Sequence, residues 1–219
     1  PSGGCDPWDR FANILVKNSS TNQWYEMARH ITPYGVGNSQ LTRGLEVDVT
    51  DFKSLLSGNV ELKIYAETWV GSGWVISLEF DYLAGNPDYK YYQISPVIQF
   101  NRNSLSGVPY GGENGNTQLD KEKFDLTKTI SVGSNIKSAH FRTIISGWGH
   151  ATPADSDGRA CAEWCFRTHK IKINNVDKFS HYMGPIGCGN NPISNQGGNW
   201  APDRAGWCPG MVVPLRLDK

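Results

Sequence analysis

The segment Val60–Glu67, VELKIYAE, alternates strictly between apolar and polar side chains. Val60, Leu62, Ile64 and Ala66 point one way, and Glu61, Lys63, Tyr65 and Glu67 the other, which is the signature of a half-covered strand. A second alternation follows, with Ile76, Leu78, Phe80 and Tyr82 on one side. It breaks at Ala84-Gly85-Asn86-Pro87-Asp88, a turn cluster suited to a domain joint. Phe11–Val16 and Gln23–His30 flank the turn-rich Asn18–Asn22 and read as a hairpin. Val97–Phe100, Ser138–Ser146, Phe166–Ile173 and Met211–Leu217 are further short strand-like pieces. One helix is expected, Asp51–Leu56, capped by Thr50 or Asp51 and ended by Gly58. Gly111–Gly115 reads as a loop and Asp120–Asp125 as an exposed charged excursion. With 24 Gly and 12 Pro punctuating 219 residues, the pattern is all-β, most simply two antiparallel sandwiches.

Lys+Arg and Asp+Glu both total 21, so the formal charge is zero. That balance argues against a nucleic-acid or polybasic membrane partner, each of which needs a cationic excess. The apolar runs are too short to span a bilayer. The chain opens on Pro1 rather than Met, which reads as a processed or trimmed form. Five cysteines (Cys5, Cys161, Cys165, Cys188 and Cys208) leave one over, and Cys5 at the N-terminus is the natural candidate for a lost partner.

The stretch GRACAEWCFRTH frames Glu163-Trp164 between Cys161 and Cys165. A zinc site using Cys161, Cys165, His169 and His181 would have poor spacing. The alternation of His169 with Ile171 and Ile173 suggests a buried imidazole instead. A redox pair would need two intervening residues and a βα context. A disulfide here would close a ring too small to add much chain-entropy stabilisation, but able to fix local geometry. On composition alone, a ring that merely tightens a turn, with Glu163 in water, is slightly favoured.

Other segments shift that balance. CDPWDRF places Asp6, Trp8, Asp9 and Arg10 after a cysteine, and NWAPDRAGWCPG places Trp200, Asp203, Arg204 and Trp207 before one. Together with Glu67-Thr68-Trp69 and Trp148-Gly149-His150 they repeat a union of acid, arginine and indole. Carbohydrate chemistry uses that union: flat faces for sugar C–H surfaces, charged groups for hydroxyls and carboxylates for proton transfer.

CDPWDRFANILVKN, ITPYGVG, RGLEVDVTDFKSLLSGN, ELKIYAETW, ISGWGHA, CAEWCFRTH and NWAPDRAGWCPGM closely resemble the peptide N-glycosidase F family, over essentially the whole chain. The match loosens between Gly111 and Ile136. These enzymes are peptide-N4-(N-acetyl-β-glucosaminyl)asparagine amidases. The resemblance implies two antiparallel jelly-roll domains side by side, 1–86 and 92–219, both trimmed of terminal strands, with the site in the cleft between them. It implies Asp9 as principal catalytic residue, supported by Glu163 and Glu67. Arg10, Trp8, Trp69, Trp148, His150, Arg204 and Trp207 are then the expected substrate-binding set. It also implies disulfides Cys161–Cys165 and Cys188–Cys208, the first presenting Glu163 to the cleft. No metal or other cofactor is implied. The expected substrates are N-glycosylated proteins or glycopeptides, acted on by a secreted or periplasmic monomer with no nucleic-acid or membrane partner. A non-catalytic lectin and an endoglycosidase are the competing readings. A lectin would have no reason to keep all three acids, whereas the carboxylates alone do not separate the two hydrolases. A copper monooxygenase would need clustered histidines, and the five here are scattered.

Overall fold

The computed structural model describes residues 4–86, 88–89, 91–97, 127–147, 150–151 and 161–219; the side chains of 150, 151, 161 and 162 lie outside that description. Strands β1 (Phe11–Asn18) and β2 (Gln23–Ile31) form the expected hairpin. Its turn is closed by Asn22 at φ 58°, a left-handed conformation that asparagine tolerates. β3 (Leu62–Ala66) pairs antiparallel with β1, and β9 (Met211–Val212) with β2, giving a sheet ordered β3-β1-β2-β9. β1 is one of its two inner strands and is covered on both sides: Phe11, Ala12, Asn13, Leu15 and Val16 are all buried. At Ile14/Leu15 the register slips, leaving Met27 of β2 between the pairs Ile14↔Ala28 and Leu15↔Glu26. This bulge lets neighbouring residues of β2 serve the core, with Met27 1% and Ala28 6% exposed.

β4 (Phe141–Ile144) pairs with β10 (Leu215–Asp218), β5 (His150–Ala151) with β6 (Cys161–Ala162), and β7 (Arg167–Ile173) with β8 (Val176–Met183). Every named strand pairing is antiparallel. One apolar cluster joins Val16, Tyr25, Met27, Phe52 and Leu56 beneath the first hairpin. A second joins Phe11 and Ile31 to Trp207 and Val213, with Tyr65 and Ile144 packed against it. This second cluster ties the start of β1 to the C-terminal part of the chain, and the candidate site sits over that junction.

Several local expectations change. The helix expected over Asp51–Leu56 is a single 3-10 turn, Thr50–Phe52, with no side-chain cap. Asp48 Oδ1 instead accepts from the Thr50 N–H (2.8 Å) ahead of the turn. Burial of Phe52 and Leu56 then favours short, tight turns over a regular helix. In β3 the alternation gives no covered face, since Leu62 and Ile64 stay more than a third exposed; β3 is the edge of its sheet. Over 75–80 the reverse holds. Ile76, Leu78 and Phe80 are half-buried between exposed neighbours, yet no strand pairs there among the described residues. Tyr82 is exposed, although its hydroxyl donates to the Leu56 carbonyl (2.9 Å). Alternation reports which face is covered; a ladder needs a neighbouring backbone as well. His169 lies exposed on β7 rather than buried, because β7 has only β8 as its sheet partner among the described residues. Of Val97–Phe100 only Val97 is described, and the loop at Gly111–Gly115 and the excursion at Asp120–Asp125 lie outside the described residues.

Cys188 and Cys208 form a disulfide across 20 residues, and Cys165 is also disulfide-bonded. The Cys161 side chain lies outside the described residues. Cys5 is a free thiol whose backbone bridges Gly73. Replacing Cys188 and Cys208 together by alanine is expected to lower the unfolding free energy by about 3 kcal/mol, from the loop closed in the unfolded chain. The check is the denaturant midpoint, which should fall, with a steeper slope because the unfolded chain without the cross-link exposes more surface.

Candidate active site

Residues 6–10 enter β1 along a path fixed by hydrogen bonds. Asp6 is fully buried and accepts from three donors: the Trp8 N–H (3.0 Å), Arg10 Nε (2.9 Å) and the Thr68 hydroxyl (2.9 Å). Burial raises the Asp6 pKa, but the Arg10, Trp8 and Thr68 hydrogen bonds and the Arg10 charge together hold it below its ordinary value. The Arg10 N–H donates to Thr32 Oγ1 and its carbonyl accepts from the Thr32 N–H, both at 2.8 Å. These bonds extend the β1–β2 ladder one residue upstream. Asp9 therefore projects from a backbone held on both sides.

The same network brings Glu67 close in the chain's architecture. Ala12 pairs with Ala66, and the Glu67 N–H donates to the Phe11 carbonyl (2.9 Å). Glu67 thus lies one strand over and two residues along from Asp9. Beyond it, Trp69 stacks over Arg10, whose Cζ is 4.7 Å from the ring centroid. Trp8 and Trp69 are 55% and 64% exposed, which leaves two indoles open to solvent beside a buried ionic network.

The second component comes from the C-terminal part. Arg204 is completely buried, and its Nε donates to Glu163 Oε1 at 2.9 Å. Nη1 donates to the carbonyls of Trp200 (3.2 Å) and Pro202 (2.8 Å), and Nη2 donates to the Tyr34 hydroxyl (3.1 Å). Its Cζ lies 4.3 Å from the Trp164 ring centroid and 5.6 Å from that of Trp207. Glu163 is 5% exposed, and its carbonyl accepts from the Ala205 N–H (2.8 Å). The loop carrying Arg204 is anchored by Asp203, whose Oδ1 accepts from the N–H groups of Ile186, Gly187 and Cys188, and by the disulfide at Cys208.

Asp9 lies where the two components meet. It is 8% exposed, and its Oδ2 is buried with no hydrogen-bond partner. Burial pushes its carboxyl above the ordinary value; the Tyr34 hydroxyl hydrogen-bonded to it and the Arg204 and Arg10 charges oppose that rise. A buried, unpaired carboxylate oxygen is costly unless it serves a ligand. Tyr34 feels both carboxylates, Asp9 and Glu163, so the two acids share one pocket of charge.

Of the sequence-derived candidates, Asp9, Arg10, Glu163 and Arg204 are thus linked directly or through one residue, with Trp8, Glu67 and Trp69 alongside. Trp207 is fully buried behind Arg204, so its ring meets protein rather than solvent. Trp148 lies outside the described residues. The His150 backbone pairs with Ala162, one residue from Glu163, and its side chain lies outside the described residues. Tyr34, Thr32 and Thr68 were not singled out in the sequence. The only available signal for Tyr34 was its place in ITPYGVG, because the residues it joins are far apart in the chain. Cys188, Asp203 and Cys208 also lie close together, but the sulfurs are bonded to one another and the carboxylate caps three amides. That donor set has no thiolate to offer a metal.

Two consequences are measurable. Arg204→Leu removes the guanidinium that neutralises the buried Glu163 carboxylate, and it is expected to cost about 3–5 kcal/mol in chemical denaturation. Adding Glu163→Gln should recover part of that loss. A second consequence concerns Asp6, whose folded pKa is depressed from an ordinary 3.8. Its stabilisation is present above that value and lost as pH falls through the folded value, so unfolding midpoints should drop below about pH 4. In Asp6→Asn the protein should be weaker at neutral pH and the acid slope shallower.

Comparison with known proteins gives a consistent picture. Residues 8–82 match the family model described as Peptide-N-glycosidase F, N terminal, and residues 114–218 match Peptide-N-glycosidase F, C terminal. The chain is 58% identical over 219 residues to Peptide-N(4)-(N-acetyl-beta-D-glucosaminyl)asparagine amidase F of Elizabethkingia miricola, covering 100% of this chain and 60% of the relative. The solved structure of PNGase F, a glycosylasparaginase from Flavobacterium meningosepticum, superposes with a TM-score of 0.81 at 51% identity, covering 100% of this chain and 68% of that one. A crystal structure of peptide-N(4)-(N-acetyl-beta-D-glucosaminyl) asparagine amidase gives 0.79 at 52% identity, over 98% of this chain and 67% of that one. This chain therefore spans 60% of the length of the curated relative that it matches. The all-β jelly-roll architecture expected from the sequence stands with these matches. The chain belongs to the peptide N-glycosidase F family.

Proposed function

We propose that this protein hydrolyses the amide joining the innermost N-acetylglucosamine of an N-linked glycan to its asparagine side chain. The observation that carries this reading is Asp9: a buried carboxyl with a raised pKa and one oxygen left without a partner, beside a buried Glu163–Arg204 pair. Family membership supplies the reaction, since the relatives matched are named as amidases of this bond.

In this reaction water adds to the side-chain carbonyl carbon, the C–N bond breaks, and the products are an aspartate and a glycosylamine. A carboxylate with a raised pKa is a stronger base, so Asp9 is suited to take a proton from the attacking water or to orient the bond through the sugar. Glu163 is held in one orientation by Arg204 and by the backbone bond at Ala205. It is placed to hold and polarise water. Glu67 binds the peptide-side amide or tunes Glu163. Arg204 has Nε, both Nη1 hydrogens and one Nη2 hydrogen directed at protein acceptors. Its part is to fix Glu163 rather than to bind sugar hydroxyls broadly. Trp8 and Trp69 offer exposed faces for sugar rings or peptide. The domain division at 1–86 and 92–219 is supported by the gap between the two family matches. A secreted or periplasmic location is supported by the disulfide-bonded cysteines. Among the described residues no helix is long and apolar enough to cross a membrane.

The test is mass spectrometry of a purified N-glycopeptide incubated with the protein in heavy-oxygen water. The expected product is a peptide whose glycosylated Asn has become Asp with one heavy oxygen, formed by the native protein and not by Asp9→Asn. A peptide retaining a single N-acetylglucosamine would replace this reading with endoglycosidase chemistry, and bound but uncut glycopeptide would replace it with a lectin.

A further inference from the structure

We propose that Thr68 is a positioning residue for the ligand-binding wall of this site: its hydroxyl, held between Asp6 Oδ2 and the Ser72 carbonyl, fixes the arch 69–72 so that Trp69 stays stacked on Arg10. The inference deepens the amidase reading and rests on it for the identity of the ligand, though not for the structural role.

The arch is tied at both ends and at Thr68 to the segment that leads into β1. The Glu67 N–H donates to the Phe11 carbonyl (2.9 Å), and the Gly73 N–H donates to the Gly4 carbonyl (3.4 Å), where Cys5 and Gly73 form an isolated bridge. Between these ends the Thr68 hydroxyl lies 2.9 Å from Asp6 Oδ2 and 2.8 Å from the Ser72 carbonyl, with the Val70 carbonyl at 3.4 Å. A hydroxyl has one hydrogen, and the ion-paired Asp6 carboxylate and the two carbonyls are all acceptors. The hydrogen is therefore shared chiefly between Asp6 and Ser72, as a three-centre bond. One group thus closes the arch on itself and joins it to Asp6.

The same Asp6 oxygen sets the guanidinium beneath the arch. Asp6 is fully buried, and its Oδ2 accepts from Arg10 Nε at 2.9 Å as well as from Thr68. Arg10 is itself buried, and its Cζ lies 4.7 Å from the Trp69 ring centroid. Arg10 takes one side of the indole, yet Trp69 and Val70 are both exposed. These two residues give the arch little buried surface, so its position depends on polar ties.

An indole held in place before the ligand arrives accepts a sugar ring or peptide without first being ordered. Losing the tie should weaken binding in the ground state and the transition state alike. The chemical step, assigned to Asp9 and Glu163, should keep its rate once the ligand is bound.

The experiment compares Thr68→Val, which keeps the β-branched shape without the hydroxyl, with Thr68→Ser, Trp69→Ala and the double variant Thr68→Val/Trp69→Ala. Thr68 is exposed, so its replacement leaves the core intact. Glycan release from an N-glycopeptide gives kcat and KM. Calorimetric titration with the same glycopeptide gives Kd, each protein then also carrying Asp9→Asn to prevent turnover. In Thr68→Val, KM and Kd are expected to rise roughly ten-fold with kcat within about two-fold of native. Thr68→Ser should stay near native, and Trp69→Ala should be weakened at least as much as Thr68→Val. Adding Thr68→Val to Trp69→Ala should cost nothing further, because the two act through one contact. The proposal is overturned by an unchanged KM in Thr68→Val, by a rise that Thr68→Ser shares, by a rise that persists in full on Trp69→Ala, or by a fall in kcat alone. If the native protein releases no glycan yet Kd follows the expected pattern, the amidase reading fails while the positioning role of Thr68 stands.

Discussion

The site depends on burying one guanidinium. Arg204 is inaccessible to solvent, and an isolated buried charge would be prohibitively costly. The chain meets this by surrounding it: Glu163 neutralises it, two carbonyls and the Tyr34 hydroxyl accept three more of its hydrogens, and the Trp164 and Trp207 rings lie 4.3 and 5.6 Å from its Cζ. Each partner is thereby fixed by the same group. Glu163 cannot swing into water without leaving Arg204 unpaired, and the Arg204 loop cannot lift without losing Asp203's three amide bonds and straining the disulfide.

The first component repeats the solution on the other side. Asp6 and Arg10 form a buried pair, and Thr68 ties that pair to the segment after β3. The two pairs differ in consequence from the acid between them. Asp6 and Glu163 each bond directly to a guanidinium, whereas Asp9 feels the arginines only at longer range and keeps one oxygen free. Burial acts on all three carboxyls, but only Asp9 combines burial with incomplete pairing. Three acids in similar sequence settings, each within two residues of a Trp, are therefore given different chemistry by their hydrogen bonds.

The packing beneath supports this division. The cluster of Phe11, Ile31, Trp207 and Val213 joins Phe11, next to Arg10, to Trp207, three residues after Arg204. The apolar contacts that bring the two ends of the chain together thus set the spacing of the two ionic pairs. β9 reinforces the junction by adding a C-terminal strand to the N-terminal sheet beside β2. Trp207, expected at the cleft surface, serves this junction instead, where a large apolar ring adds more by burial than by exposure.

The hairpin of β1 and β2 was legible in the sequence because its alternation, its turn residues and its contacts are all local. The acids and arginines were legible as a recurring union, and the family motifs named Asp9, Glu163 and Glu67 as a set. The 3-10 turn at Thr50–Phe52 and the exposed His169 were misread, because each depends on which distant backbone lies alongside. Tyr34 was illegible for the same reason: its value lies in touching Arg204 across 170 residues of chain. By itself the sequence determined the strand-rich class and the chemical groups at hand, through short-range periodicity and residue type. Only the tertiary structure decided which carboxylate is paired and which is left with an open oxygen, because long-range packing alone determines which charges share a dry pocket.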